Sequence, residues 1–121
     1  MSGVVERYLA ALVAHDWGEV ETCLAPEVVR MGPFGDTYTP RAAYLAFLRG
    51  LMPTLPGYSM EVHRIVGEGP VVLAELSETV EIDGAPLVTP ESLVFDVDGS
   101  GAITRVAVYI QRPGETPPAV T

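Results

Sequence analysis

From Gly57 onward the chain alternates apolar and polar residues with a period of two, in four runs at 58–66, 71–82, 87–97 and 103–111. A period of two places successive side chains on opposite faces of a strand. The joints are Gly67-Glu68-Gly69-Pro70, Asp83-Gly84-Ala85-Pro86 and Asp98-Gly99-Ser100-Gly101. They are short and rich in turn formers, so consecutive strands are expected to pair antiparallel. A meander with one apolar face must bury that face against another layer.

The first half of the chain supplies that layer. Val5, Tyr8, Leu9 and Leu12 recur at helical spacing on one face. Asp16 with Glu19 has the form of a capping box opening a short second helix through Val20, Cys23 and Leu24, which Pro26 is expected to stop. A short strand over 28–31 leads into the turn Gly32-Pro33-Phe34-Gly35. Thr39-Pro40 reads as the cap and first position of a third helix whose buried stripe is Tyr44, Phe47, Leu48 and Leu51, ended by Pro53 and Pro56. The expected architecture is α+β, three helices packed on a curved, mostly antiparallel sheet, with a ligand-holding cone between the layers. Residues 1–112 read as one domain, and the Pro- and Gly-rich 113–121 as a mobile tail.

Glu78 interrupts the pattern at an informative place. One face of its strand reads Leu73, Glu75, Ser77, Thr79, Glu81; the other reads Val72, Ala74, Leu76, Glu78, Val80, Ile82. An ionised carboxylate on an apolar face costs several kcal/mol unless it is paired, so it stays protonated or finds a partner. The next strand carries Leu87, Thr89, Glu91, Leu93, Phe95 and Val97 on one face. An even loop after Ile82 brings Glu91 to the face of Glu78: diagonal at about 7–8 Å for two residues, opposite at about 4.5–5.5 Å for four. Two carboxyls this close do not both ionise cheaply, and one becomes an acid while the other is a base. In the structural alternative, one Glu is solvated at the cone's mouth or pairs with Arg30 or Arg64.

Sixteen acidic residues against seven basic ones, all Arg, leave a formal charge of −9. That repels phosphate backbones and anionic membrane surfaces, so neither nucleic acid nor membrane is expected as a partner. No apolar run reaches the roughly 20 residues of a membrane span, and no signal-like segment opens the chain. The lone Cys23 is expected as buried packing. The plain expectation is a cytoplasmic protein. His15 and His63 have no companions at ligand spacing, so no metal is expected; His63 reads as surface. No serine elbow, phosphate loop or dinucleotide fingerprint is present. Tyr8 is either core or a pocket hydrogen-bond donor. Arg30, expected at the rim, joins Phe34, Tyr44, Leu76, Leu93, Val106 and Val108 as candidate substrate-binding residues. Val88, Val94, Val106 and Val108 are also expected to furnish a homodimer face outside the pocket.

The run from Val4 to Leu12, followed by Asp16, resembles the first helix of ketosteroid isomerases, and the element order over nearly the whole chain is similar to the nuclear-transport-factor-2-like superfamily. That superfamily also holds SnoaL-like polyketide cyclases and limonene-epoxide hydrolases. The resemblance places Tyr8 on the isomerase oxyanion-hole tyrosine and Glu91 near the protonated acid beside it. The isomerase base belongs just before Pro33, where this chain has Gly32. Against the epoxide hydrolases, Glu78 falls on one of the two pocket aspartates. Leu76 stands at the arginine position, the second aspartate falls near Val108, and Arg30 and Gly32 stand at the tyrosine and asparagine positions.

Taken together these readings imply a cofactor-independent acid/base enzyme of isomerase or cyclase type, acting on an apolar, polycyclic or polyketide small molecule; the resemblance to SnoaL-like cyclases implies a place in natural-product biosynthesis. Glu78 would move the proton, while Tyr8 and protonated Glu91 would stabilise an enolate-like oxygen. The alternatives are a non-catalytic ligand-binding or dimerisation module of the same fold, and an epoxide hydrolase-like activity.

Overall fold

A computed structural model describes residues 3–112; the tail expected over 113–121 lies outside them. The chain builds α1 (Val4–Ala14), α2 (Trp17–Cys23), β1 (Leu24–Met31), β2 (Thr37–Tyr38), α3 (Arg41–Leu51), a 3-10 turn (Met52–Thr54), β3 (Ser59–Val66), β4 (Val71–Ile82), β5 (Ala85–Val97) and β6 (Ile103–Ile110). Three helices and one six-stranded mixed sheet, in the order β2-β1-β6-β5-β4-β3, make an α+β fold. The meander pairs antiparallel as expected; β1 adds to it parallel to β6. Among the described residues, no helix is long and apolar enough to cross a membrane.

The core lies between the helices and one sheet face. Val5, Tyr8, Leu9 and Leu12 of α1 are buried, as the helical stripe requires, together with Ala74, Leu76, Leu93, Phe95 and Val106 from the sheet. Asp16 caps α2 by accepting from the Glu19 N–H at 3.2 Å. Cys23 is buried there, in line with a packing role.

Four expectations are corrected. First, α2 ends at Cys23 and Pro26 lies inside β1. The β1–β6 register is interrupted between Leu24 and Val29, so the N–H that Pro26 lacks falls where the ladder is already broken. Second, the buried stripe of α3 is Tyr44, Leu45 and Leu48. Phe47 turns sideways to stack on Tyr38, ring centroids 4.0 Å apart, and Leu51 in the last turn is 38% exposed. Third, the β4–β5 joint is a two-residue loop. Ile82 pairs with Ala85, and Asp83 and Gly84 both take positive φ, 51° and 78°, as an Asp-Gly type I′ hairpin demands. β5 thereby starts at Ala85, two residues before its expected start, while β4 ends at Ile82 as expected. Fourth, Val106 and Val108 are not on an outer dimer face. Val106 pairs with Phe95 and Val108 with Leu93, so both share the inner face with those core residues.

Candidate active site

The short hairpin settles the relation of the two carboxylates. Glu78 stands opposite Thr89 and Glu91 opposite Leu76, which makes the glutamates diagonal neighbours on the inner face. Buried Ala74, Leu76, Leu93 and Phe95 lie on one side of them along the hairpin. On the other side the inner face runs out through Val80, Ile82 and Leu87, and the last two are 50% and 49% exposed. The carboxyls are half-buried, at the boundary between closed core and an uncovered apolar apron.

Tyrosines converge on this boundary from other elements. Tyr58 precedes β3 and keeps the facing of Met60, which pairs with Glu78; its hydroxyl donates to Glu78 Oε2. Tyr8 from α1 and Tyr44 from α3 are buried and hydrogen-bonded to each other through their hydroxyls. The edge of one ring in the Tyr8–Phe95 pair meets the face of the other, with centroids 5.7 Å apart and planes at 71°.

Burial raises the Glu91 carboxyl to about 9, helped by hydrogen bonding to Glu78 and by the Glu78 charge; Arg30 works in the opposite direction. The Tyr58 phenol is pushed up, first by burial, then by the charge of Glu78 and the hydrogen bond to it, then by Glu91. Burial is also the main cause that raises Tyr8 and Tyr44. At neutral pH Glu91 therefore keeps its proton, among three neutral phenols.

Arg30 lies inside, not at the rim. Its Nη1 donates to Asp36 Oδ2 at 3.0 Å, and its guanidinium lies 5.9, 6.0 and 5.2 Å from the ring centroids of Tyr38, Tyr44 and Phe47. Arg30 Nε and Asp36 Oδ1 are buried with no hydrogen-bond partner among the described residues. A Cβ added at Gly32 would meet Asp36 Oδ1 at 2.2 Å and Arg30 Nη1 at 2.4 Å, so this ion pair occupies the space a side chain at 32 would need. Arg64, the other expected partner of a buried Glu, pairs instead with Glu75 at 3.2 Å on the exposed side of the sheet.

The structure thus gathers Tyr8, Arg30, Tyr44, Leu76, Glu78, Glu91, Leu93 and Val108 around one region. Val106 is wholly buried core, and Phe34 stands 74% exposed in the turn after β1, with Arg112 6.0 Å from its ring. Tyr58 and Asp36 belong to the site although neither is a candidate from sequence. The signal for Tyr58 is its facing: it lies two residues before Met60 on a strand that pairs with β4. His63 is exposed, 2.9 Å from Ser77 Oγ. Among the described residues, no cluster of three His, Cys, Asp or Glu side chains could hold a metal ion.

A model of the SnoaL-like domain matches residues 5–106. The chain belongs to the SnoaL-like family. Its fold is similar to a candidate SnoaL-like polyketide cyclase of Shewanella denitrificans, with a TM-score of 0.79 at 14% identity over 89% of this chain and 88% of that one. An LEH-like epoxide hydrolase of M. tuberculosis gives 0.77 at 27% identity over 89% and 80%. A candidate ketosteroid isomerase of Kribbella flavida gives 0.77 at 25% identity over 96% and 81%. No curated protein matches the chain.

Proposed function

We propose that this SnoaL-like protein is an acid/base enzyme of isomerase or cyclase type that enolises an apolar carbonyl compound. The observation that carries the reading is the diagonal Glu78–Glu91 pair, with Glu91 held protonated, beside an open apolar apron. A substrate lying on Val80, Ile82 and Leu87 brings its carbonyl to both carboxyls. Glu78 takes a proton from the carbon next to the carbonyl: the C–H bond breaks and an O–H bond forms on Glu78. The electron pair moves to the carbonyl oxygen, where the Glu91 O–H hydrogen-bonds it. In a β,γ-unsaturated carbonyl compound, returning the proton from Glu78 to the γ carbon gives an isomer; where the enolate carbon attacks a second carbonyl instead, a ring closes and the new alkoxide takes the proton from Glu78. The fold likeness to isomerase- and cyclase-type proteins supports this class.

Exchange of the α-hydrogens of 2-tetralone for deuterium tests the proposal with an apolar, enolisable probe. Glu78→Gln is expected to slow the enzymatic exchange by about 10²–10⁴-fold while the circular dichroism spectrum is unchanged. Exchange at the wild-type rate in that variant would remove Glu78 as the base. A second reading, a module that binds a second copy of itself, draws on the outer sheet face. There Leu73, Val88 and Tyr109 are exposed, and Tyr109 lines a hollow of about 390 Å³ together with His63, Glu75 and Ser92. Concentration-dependent sedimentation would test that pairing, and it is compatible with the catalytic reading.

A further inference from the structure

We infer that Tyr58 is the positioning residue that places the pair's single proton on Glu91 and so makes Glu78 the base. The inference rests on the acid/base reading and adds the device that assigns the roles. Two glutamates on neighbouring strands are chemically equivalent, so their surroundings must decide which one keeps the proton.

Every element packed around the pair can be inspected for that influence. From α1 and α3 come Tyr8 and Tyr44, whose hydroxyls bond to each other. From β1 comes Arg30, tied to Asp36 at 3.0 Å; its charge favours ionisation of Glu91 and thus works against the assignment. From β6 the inner face offers Val108 and Ile110, which are opposite Leu93 and Glu91 and carry no charge. Burial of Glu91 already favours its protonated form; among the described residues outside the pair, only the Tyr58 hydroxyl makes a direct hydrogen bond to one of its members, and that member is Glu78. A phenol donating to a carboxylate favours the charged form of its acceptor. Burial and the neighbouring charge keep that phenol protonated, so the donor persists through the neutral range.

The bond also acts during turnover. When Glu78 accepts a proton from carbon, its oxygen becomes a poorer acceptor and the Tyr58 hydrogen bond weakens. That loss favours returning the proton to the substrate, which completes the transfer. Tyr58 itself need not exchange a proton at any step.

Side-chain carboxyl ¹³C resonances of glutamate-labelled protein read the proton's position without a substrate; Glu78→Gln and Glu91→Gln assign them. At pH 7 the wild type is expected to show Glu91 in the carboxylic-acid position and Glu78 in the carboxylate position. A hydrogen bond to a charged group biases the two arrangements by roughly tenfold or more. In Tyr58→Phe the Glu78 resonance should therefore titrate about one pH unit higher than in wild type. In the 2-tetralone assay the acid limb of the rate profile should rise by about one pH unit, with near-ultraviolet circular dichroism otherwise that of the folded protein. If wild type leaves 2-tetralone unexchanged, the acid/base reading fails, and the resonances still decide the role of Tyr58. If the Glu78 resonance titrates in Tyr58→Phe as it does in wild type, the inference on Tyr58 is overturned whatever the exchange rate.

Discussion

Replacing Glu91 by Gln should flatten the pH dependence of stability, by an amount that follows from the proton count. In the native protein Glu91 keeps its proton to about 9, against an ordinary value of 4.5. Between those values the native state binds one proton more than the unfolded chain. Stability from this source is complete below the unfolded value and is lost as pH rises through the folded one. The slope for one proton is about 1.36 kcal/mol per pH unit. From pH 6 to pH 8.5 the wild type should therefore lose about 3 kcal/mol that Glu91→Gln does not lose. Glu91 is only half-buried, so solvent screening reduces the loss, and half that figure is a fair floor. Because the count belongs to the pair, the result holds whichever carboxyl carries the proton. Urea unfolding at pH 6, 7 and 8.5, at constant ionic strength, measures the two curves. Glu75→Gln, on the exposed side of the neighbouring strand β4, is the control and should run parallel to wild type. Curves for wild type and Glu91→Gln that stay parallel within about 0.5 kcal/mol would refute the shared-proton argument, because no retained proton produces a flat difference.

Two further substitutions probe the surroundings of the pair. Gly32→Ala sets a methyl group where Asp36 Oδ1 and Arg30 Nη1 lie, so the ion pair must shift. A loss of about 1–3 kcal/mol is expected in urea unfolding, and adding Asp36→Ala should make the combined loss smaller than the sum of the two single losses. Tyr44→Phe leaves the buried Tyr8 hydroxyl without its partner; thermal unfolding should report a loss of about 1–3 kcal/mol. An unchanged midpoint in that variant would mean Tyr8 finds another acceptor.

The carboxylate pair was legible from sequence because strand parity is strict: one residue of slip would have turned Glu91 away from Glu78. Loop length remained open between two and four residues, and the Asp-Gly turn resolves it toward the diagonal arrangement. Less was legible where contacts are nonlocal. The parallel pairing of β1 with β6 joins segments separated by most of the chain, and no local pattern announces it. Phe47 was misplaced in the α3 stripe because its partner is Tyr38 of a two-residue strand too short to show a period. Asp36 sits in a turn, where an acidic residue ordinarily needs no explanation; its pairing with Arg30 exists only once the turn folds back, with the Gly32 N–H donating to the Asp36 carbonyl at 2.7 Å. Tyr58 followed Pro56-Gly57 at the edge of the pattern, so its inward facing was obscured by the break beside it.

The empty position at 32 and the filled position at 78 are linked by one charge. The resemblance to ketosteroid isomerases puts the base just before Pro33, beside Arg30. Here Arg30 is stacked among three aromatic rings and already paired with Asp36. A carboxylate at 32 would have to share that one guanidinium with Asp36, and the space around the Gly32 Cα is taken by the pair itself. A second buried carboxylate left partly unpaired there is penalised by desolvation. On β4 the same group meets no such competitor, because the Tyr58 hydroxyl donates to it and the Glu91 carboxyl beside it keeps its proton. The Arg30–Asp36 pair thus closes the β1 turn as a place for a base, and the inner face of the β4–β5 hairpin can hold one.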